Sequence, residues 1–315
     1  MALIRRDDEK AQSALPLDHA KLAQVLRLVG WNIQNLSLML TCKKVKITYK
    51  LGMDIIHQPV VAGVFYPDDP DLLKQTLKHL LDNVSVDQVQ PRAIIAPHAG
   101  YIYSGEIAAS VYARLRKAKQ WIKKVILIGP SHRVSFAGLA LSSAEQFLTP
   151  LGSITVDTEA VKTINGLSYV KFMDQVYDQE HSLEVHLPFL QTMIDSFTLV
   201  PVIAGMASAQ QVCELIELFW GDPEILIVIS SDLSHFLDYE TAQKKDRETS
   251  DLIEQLNYEQ LDVNSACGRV PISGLLELAR KNKLRVQTVD LRNSGDTAGN
   301  ADKTRVVGYG AYVIE

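Results

Sequence analysis

The sequence predicts a three-layer αβα fold built on a central, mixed β-sheet. Three observations lead there. Short runs dense in β-branched and aliphatic residues recur along the chain, as in "RAIIAP", "KVILIGP", "FTLVPVIA" and "EILIVISS". Amphipathic stretches with apolar residues three and four apart separate them, so helices alternate with strands. Strands apolar on both sides need cover on both faces, which packed helices supply. The third observation is "LTPLGSITVD", which reads as a hairpin and makes the sheet mixed.

The elements follow in order. Residues 1–52 read as an N-terminal extension, with a helical-looking stretch from Asp18 to Val29 and the basic cluster "CKKVKITYK". From Met53 the text, "MDIIHQPVVAGVFYP", reads as a fresh beginning, and Met53 is itself a candidate start. Residues 53–315 are expected to form one αβα domain. In "PDDPDLLKQTLKHLLDN", Asp69 is placed as an N-cap and Pro70 at the first helical position, with Leu73, Leu77, Leu80 and Leu81 on one face. A strand at "RAIIAP" precedes a helix over "SGEIAASVYARLRKA". A strand at "KVILIGP" follows, and "LEVHLPFLQTMI" has helical spacing with Pro188 in its first turn or at a kink. Next come a strand at "FTLVPVIA", a helix at "AQQVCELIELFW", a strand at "EILIVISS" and a helix at "ISGLLELARKN". The strand "RVVGYGAYVIE" closes the chain.

Composition removes several function classes. The 315 residues are 47% hydrophobic and 22% charged, enough for a large core, and the net charge of −5 gives no basic footprint for nucleic acid. Three cysteines in a chain this long do not form a disulfide framework and point to a reducing compartment. No apolar run reaches the roughly 20 residues of a membrane span, and "MALIRRDDEK" lacks the apolar stretch of a secretory signal. A cytoplasmic protein is expected, with no membrane and no nucleic acid among its partners.

Chemistry concentrates in one recurring pattern. "AIIAPH" ends at His98, "VILIGPSH" at His132 and "ILIVISSDLSH" at His235. Each is a buried strand that breaks and then presents a histidine. Ligands of open α/β sheets bind outside the carboxyl ends of the strands, so these three of eight histidines can share one site. Imidazole serves there as metal ligand or as acid and base. In "EHSLEVHLPF", His181 and His186 are five apart, which does not fit the four-residue spacing of a His-Glu-x-x-His zinc helix. His181, just ahead of a helix, is expected to face the pocket as a substrate or supporting group, and His186 to pack in the core. Cys267 precedes a helix beginning near Pro271, a position expected to lower its thiol pKa, whereas Cys213 reads as buried in an apolar helix. Asp232, three residues before His235, is expected to orient that imidazole or to accept a hydrogen bond in the pocket. Tyr101 and Tyr103 in "HAGYIYSG" are expected to wall the pocket. No Gly-x-Ser-x-Gly elbow is present to suggest a hydrolase.

Six ordered motifs then carry a resemblance: the text at Val60–Pro67, "PHAGYIYSG", "LIGPSH", "EHSLEVHLPF", "SSDLSH" and "ACGRVPI". Over about residues 58–315 the sequence resembles the Memo family, whose prokaryotic members are called AmmeMemoRadiSam system protein B. The resemblance implies a fold similar to class III extradiol dioxygenases, which are non-haem Fe(II) enzymes. It implies His98, His132 and Cys267 as metal ligands, with Cys267 where those enzymes have a carboxylate, and His235 as the base. It implies Fe(II), with copper as the alternative that a thiolate favours. It further implies redox chemistry on a small-molecule substrate or, as the competing reading, a non-enzymatic scaffold binding a phosphorylated or aromatic ligand or a peptide in the same pocket. A radical-SAM protein and a third system component are the partners that the prokaryotic name implies.

Overall fold

The computed structural model describes residues 55–84, 91–297 and 302–315. The predicted extension, with its helix at Asp18–Val29, lies outside the described residues.

Local sequence explains where the elements begin. Strand β1 (Ile56–His57) leads into helix α1 (Pro70–Asp82). The Asp69 carboxylate accepts from the N–H groups of Asp71 and Leu72, and Pro70 occupies the start of the helix, where a missing N–H costs nothing. Strand β2 (Ala93–Ala96) is followed by α2 (Tyr101–Tyr112), which opens three residues earlier than "SGEIAA" suggests and tightens into a 3-10 turn at Ala113–Lys117. Then come β3 (Lys124–Pro130), β4 (Leu139–Leu141), β5 (Gln146–Thr149), β6 (Gly152–Thr155), α3 (Thr158–Ile164) and β7 (Val170–Phe172). Helix α4 (Leu187–Met193) carries Pro188 in its first turn, as the sequence requires. The chain continues through β8 (Thr198–Ala204), α5 (Ala209–Glu217), β9 (Ile225–Ser230), β10 (His235–Leu237), α6 (Tyr239–Glu254) and α7 (Arg269–Lys281). It ends with β11 (Val286–Asn293), α8 (Ser294–Thr297) and β12 (Val306–Ile314).

Among the described residues, the main sheet runs β10-β12-β2-β9-β3-β8-β4-β7, and β11 also pairs with β12. Its centre, β2-β9-β3-β8, is parallel throughout. Every residue of β2 is buried, as is every residue but the first of β3, β8 and β9. Side chains alternate across a strand, so both faces of this centre are covered, the outer layers being helical. The sheet is mixed, but for a different reason than the hairpin. The β5–β6 hairpin forms a separate three-stranded sheet with β1. The antiparallel pairs of the main sheet are β4 with β8 and β12 with β2, β10 and β11. No helix among the described residues is long and apolar enough to cross a membrane.

For the site, the decisive feature is strand order. Strand β9 lies between β2 and β3, all three parallel, so their carboxyl ends emerge side by side. His98 follows β2, His132 follows β3, and Asp232 and His235 follow β9.

Candidate metal centre

Three imidazoles meet at this edge. Among the described residues, His98, His132 and His181 form a group whose ligand atoms all lie within 4.8 Å of one another, a set that could hold a metal ion. The His98 ring lies edge-on to both partners, with centroids 5.1 Å from His132 and 5.5 Å from His181, and the latter two stack at 4.8 Å. The Phe65 ring backs His181 at 4.8 Å.

Proton placement follows from the partners. The Ser230 hydroxyl donates to the Ser182 carbonyl at 2.5 Å, so at 2.6 Å from His98 Nδ1 it accepts the ring proton. His98 Nε2 is then a free lone pair. The Glu180 carboxylate accepts from His132 Nδ1 at 2.8 Å and from the His132 backbone N–H at 2.6 Å, so the neutral tautomer of His132 that this contact selects carries its lone pair on Nε2. Glu180 also accepts from the N–H groups of His181 and Ser182, both at 2.9 Å, and its Oε1 lies 3.6 Å from His181 Nδ1. One buried carboxylate thus fixes two of the three histidine-bearing loops. Burial works to raise its pKa, but the His132 hydrogen bond and charge and the backbone donors outweigh burial and lower it. Burial drives the His98 pKa well below the imidazole norm, with the neighbouring histidines adding to it, and lowers His181 to about 4. Both rings are neutral at neutral pH, the form that binds a metal. The chemistry of this donor set fits a transition-metal ion.

Cys267 joins from the other side, its Sγ 3.4 Å from His98 Nε2. The loop carrying it is stitched to the β9 exit. The Asp232 N–H donates to Cys267 Sγ at 3.3 Å, and the Gly268 N–H donates to Ser231 Oγ at 2.9 Å. A Cβ on Gly268 would lie 2.5 Å from the Ser230 carbonyl, so only glycine permits this approach. The expected lowering of the thiol pKa is reversed. Burial pushes it far up and the Asp232 carboxylate adds to the effect, and these outweigh the hydrogen bonds from the Asp232 N–H, the Ser231 hydroxyl and the Gly268 N–H.

Two other expectations also need correction. Asp232 does not orient His235. Its Oδ1 accepts the His98 backbone N–H at 2.8 Å and its Oδ2 lies 3.9 Å from His98 Nε2, while His235 Nδ1 is bound by the Leu233 carbonyl at 2.8 Å. Burial raises the Asp232 pKa to about 7. Tyr101 does not wall the pocket either: it is buried, donates to the Val185 carbonyl at 2.9 Å and packs on Tyr66 and Phe189. His186 is a core residue as expected, bound through Nδ1 to the Tyr112 hydroxyl at 2.9 Å. His235 stands outside the three-histidine group, its Nδ1 engaged and its Nε2 left as a free lone pair. Sequence reading missed Glu180, Ser182 and Ser230. Glu180 alone left a signal, an acidic residue directly before His181 in "EHSLEVH".

Residues 57–313 match the family model described as Memo-like protein. A MEMO1 family protein of Methanosarcina barkeri is 35% identical over 273 residues, spanning 82% of this chain and 100% of its own. One from Aquifex aeolicus is 35% identical over 266 residues, spanning 81% of this chain and 97% of its own. Among solved structures, an uncharacterized protein of Escherichia coli K12 aligns with a TM-score of 0.45 at 10% identity, over 71% of this chain and 100% of that one. The ordered motifs, the match across the sheet and its histidine-bearing loops, and the near-complete coverage of these relatives all agree: the chain belongs to the Memo family.

Proposed function

We propose that this protein is a metal-dependent redox protein acting on a small molecule, with iron as the expected ion and copper the alternative. The observation that supports this most is the convergence of His98 and His132 with their Nδ1 protons committed to Ser230 and Glu180, which leaves Nε2 lone pairs for an ion. His98 and His132 would be held in common by any ligand set. Cys267 and His181 compete for the third place, one by contact with His98 Nε2 and the other by proximity to both imidazoles. A bound transition metal would supply Lewis acidity and one-electron chemistry at this edge. The chain's own residues then divide the remaining work. Glu180 and Ser230 hold ligand tautomers. His235, with Nδ1 tied to Leu233, offers Nε2 as an acceptor for a substrate proton.

The test is metal content by mass spectrometry after anaerobic purification, for the wild type beside His98→Ala. Stoichiometric iron or copper that His98→Ala loses supports the reading, and wild-type protein that binds neither on reloading overturns it. A second reading, a binding module that kept the pocket without turnover, draws on the openness of the site: His132 is exposed, and a cavity of about 320 Å3 opens beside it and Cys267. Oxygen consumption by iron-loaded protein with a panel of catechols separates the two readings.

A further inference from the structure

The cavity beside the centre is polar in one particular way. His132 and Cys267 line it together with the apolar Phe136 and Met206 and with Arg133 and Arg269. Neither guanidinium has a carboxylate partner among the described residues. A guanidinium beside a cavity with no acidic neighbour is a ready fork for a carboxylate or phosphate, which it can bind through two parallel hydrogen bonds. The two arginines come from different loops, one directly after His132 and the other at the start of α7, so their placement around one space is a product of the fold. Helix α7 has no acidic residue in its first turn and no side-chain cap, so its positive end reinforces the same sign.

We infer that Arg133 and Arg269 form an oxyanion subsite, and that the substrate of this centre is a small organic molecule with a carboxylate or phosphate at one end and an apolar body lying on Phe136 and Met206. This rests on the reading of the histidine cluster as the reacting centre. A cavity of about 320 Å3 admits a single small aryl or alkyl acid. It also sets an orientation, with the anionic end on the arginines and the remainder directed to His132 and Cys267.

The experiment uses the metal-loaded full chain and calorimetric titration with benzoate, phenyl phosphate and, as a neutral match, benzamide. Benzoate or phenyl phosphate should bind and benzamide should not, with affinity falling as salt is raised. Which of the two acids binds more tightly identifies the group as carboxylate or phosphoryl. In the Arg133→Gln, Arg269→Gln double variant the affinity should fall at least about tenfold, with metal content unchanged. Benzamide binding as tightly as benzoate, no binding of either acid, or a double variant within twofold of wild type would overturn the subsite. Loss of metal from wild-type protein with acid binding retained would instead sink the redox reading and leave the subsite standing.

Discussion

A thiolate at Cys267 would bring negative charge to a site whose other donors are neutral imidazoles, yet burial and Asp232 hold the thiol protonated in the metal-free fold. Ionisation therefore has to be driven by the ion itself, with a proton released on binding. If Cys267 is a ligand, Cys267→Ser should weaken Fe(II) or Cu(I) binding at least about tenfold and alter the metal spectrum. Cys213→Ser should change neither, since Cys213 is buried in α5 beside Lys281 and Glu217. Equal affinity and an identical spectrum in Cys267→Ser would pass the third place to His181. Glu180 tests orientation separately from ligation. Replacing it with Gln removes an acceptor from the His132 ring and its loop, and should cost about 10- to 100-fold in metal affinity with an unchanged far-UV spectrum. A competition titration matching wild type would show that the His132 ring is held by other contacts.

At the scale of elements, the buried parallel strands were legible because β2, β3 and β9 are apolar at consecutive positions, and their order delivers the histidines to one edge. Strand β11 was not. "VQTVDLRN" lacks the continuous apolar run that marks β2, β3 and β9, and it pairs only with β12 at the side of the sheet. The roles of Asp232 and Tyr101 were misread for a related reason. Closeness in sequence to His235 or to His98 says nothing about which backbone N–H or carbonyl the fold places within reach. The β12–α6 contact shows how much depends on such placement. Asp246 on α6 accepts the Ser234 N–H at 3.0 Å, and the Ser234 carbonyl accepts the Gly308 N–H at 2.8 Å, pinning the loop that leads to His235. A Cβ on Gly308 would lie 2.0 Å from Asp246 Oδ2. Gly308→Ala should therefore lower stability by about 2–3 kcal/mol in a urea titration. A loss below about 0.5 kcal/mol would show that the carboxylate swings aside freely.

For the whole molecule, the extension and the domain separate cleanly as predictions. All candidate ligands lie from His98 onward, and the family match begins at residue 57. A chain starting at Met53 should fold, melt within about 4 °C of the full chain and bind metal equally; a larger drop with loss of metal would make residues 1–52 part of the core. The pH dependence of stability involves many groups at once. In the folded, metal-free protein, burial lowers His98 well below the usual imidazole value, His181 to about 4 and His186 to about 3. In the unfolded chain each takes up a proton near pH 6.5. Their contribution is thus complete above about pH 6.5 and is lost as pH falls toward the folded values. Asp232 acts in the opposite sense. Raised to about 7, it keeps its proton in the fold where the unfolded chain has released it, so it stabilises on the acid side. Burial also lowers His57 and His235 and raises Asp246; five lowered imidazoles against two raised carboxyls leave a net loss, and the melting temperature of chelator-treated protein should fall from pH 7 to pH 4. His186 isolates the effect, because it lies in the core against Tyr112, outside the metal cluster. His186→Gln should flatten the slope between pH 6 and pH 4 by up to about 1.4 kcal/mol per pH unit, whatever its own offset in stability. An unaltered slope would mean that His186 is already protonated in the folded state, and the acid sensitivity would then come from the other buried histidines.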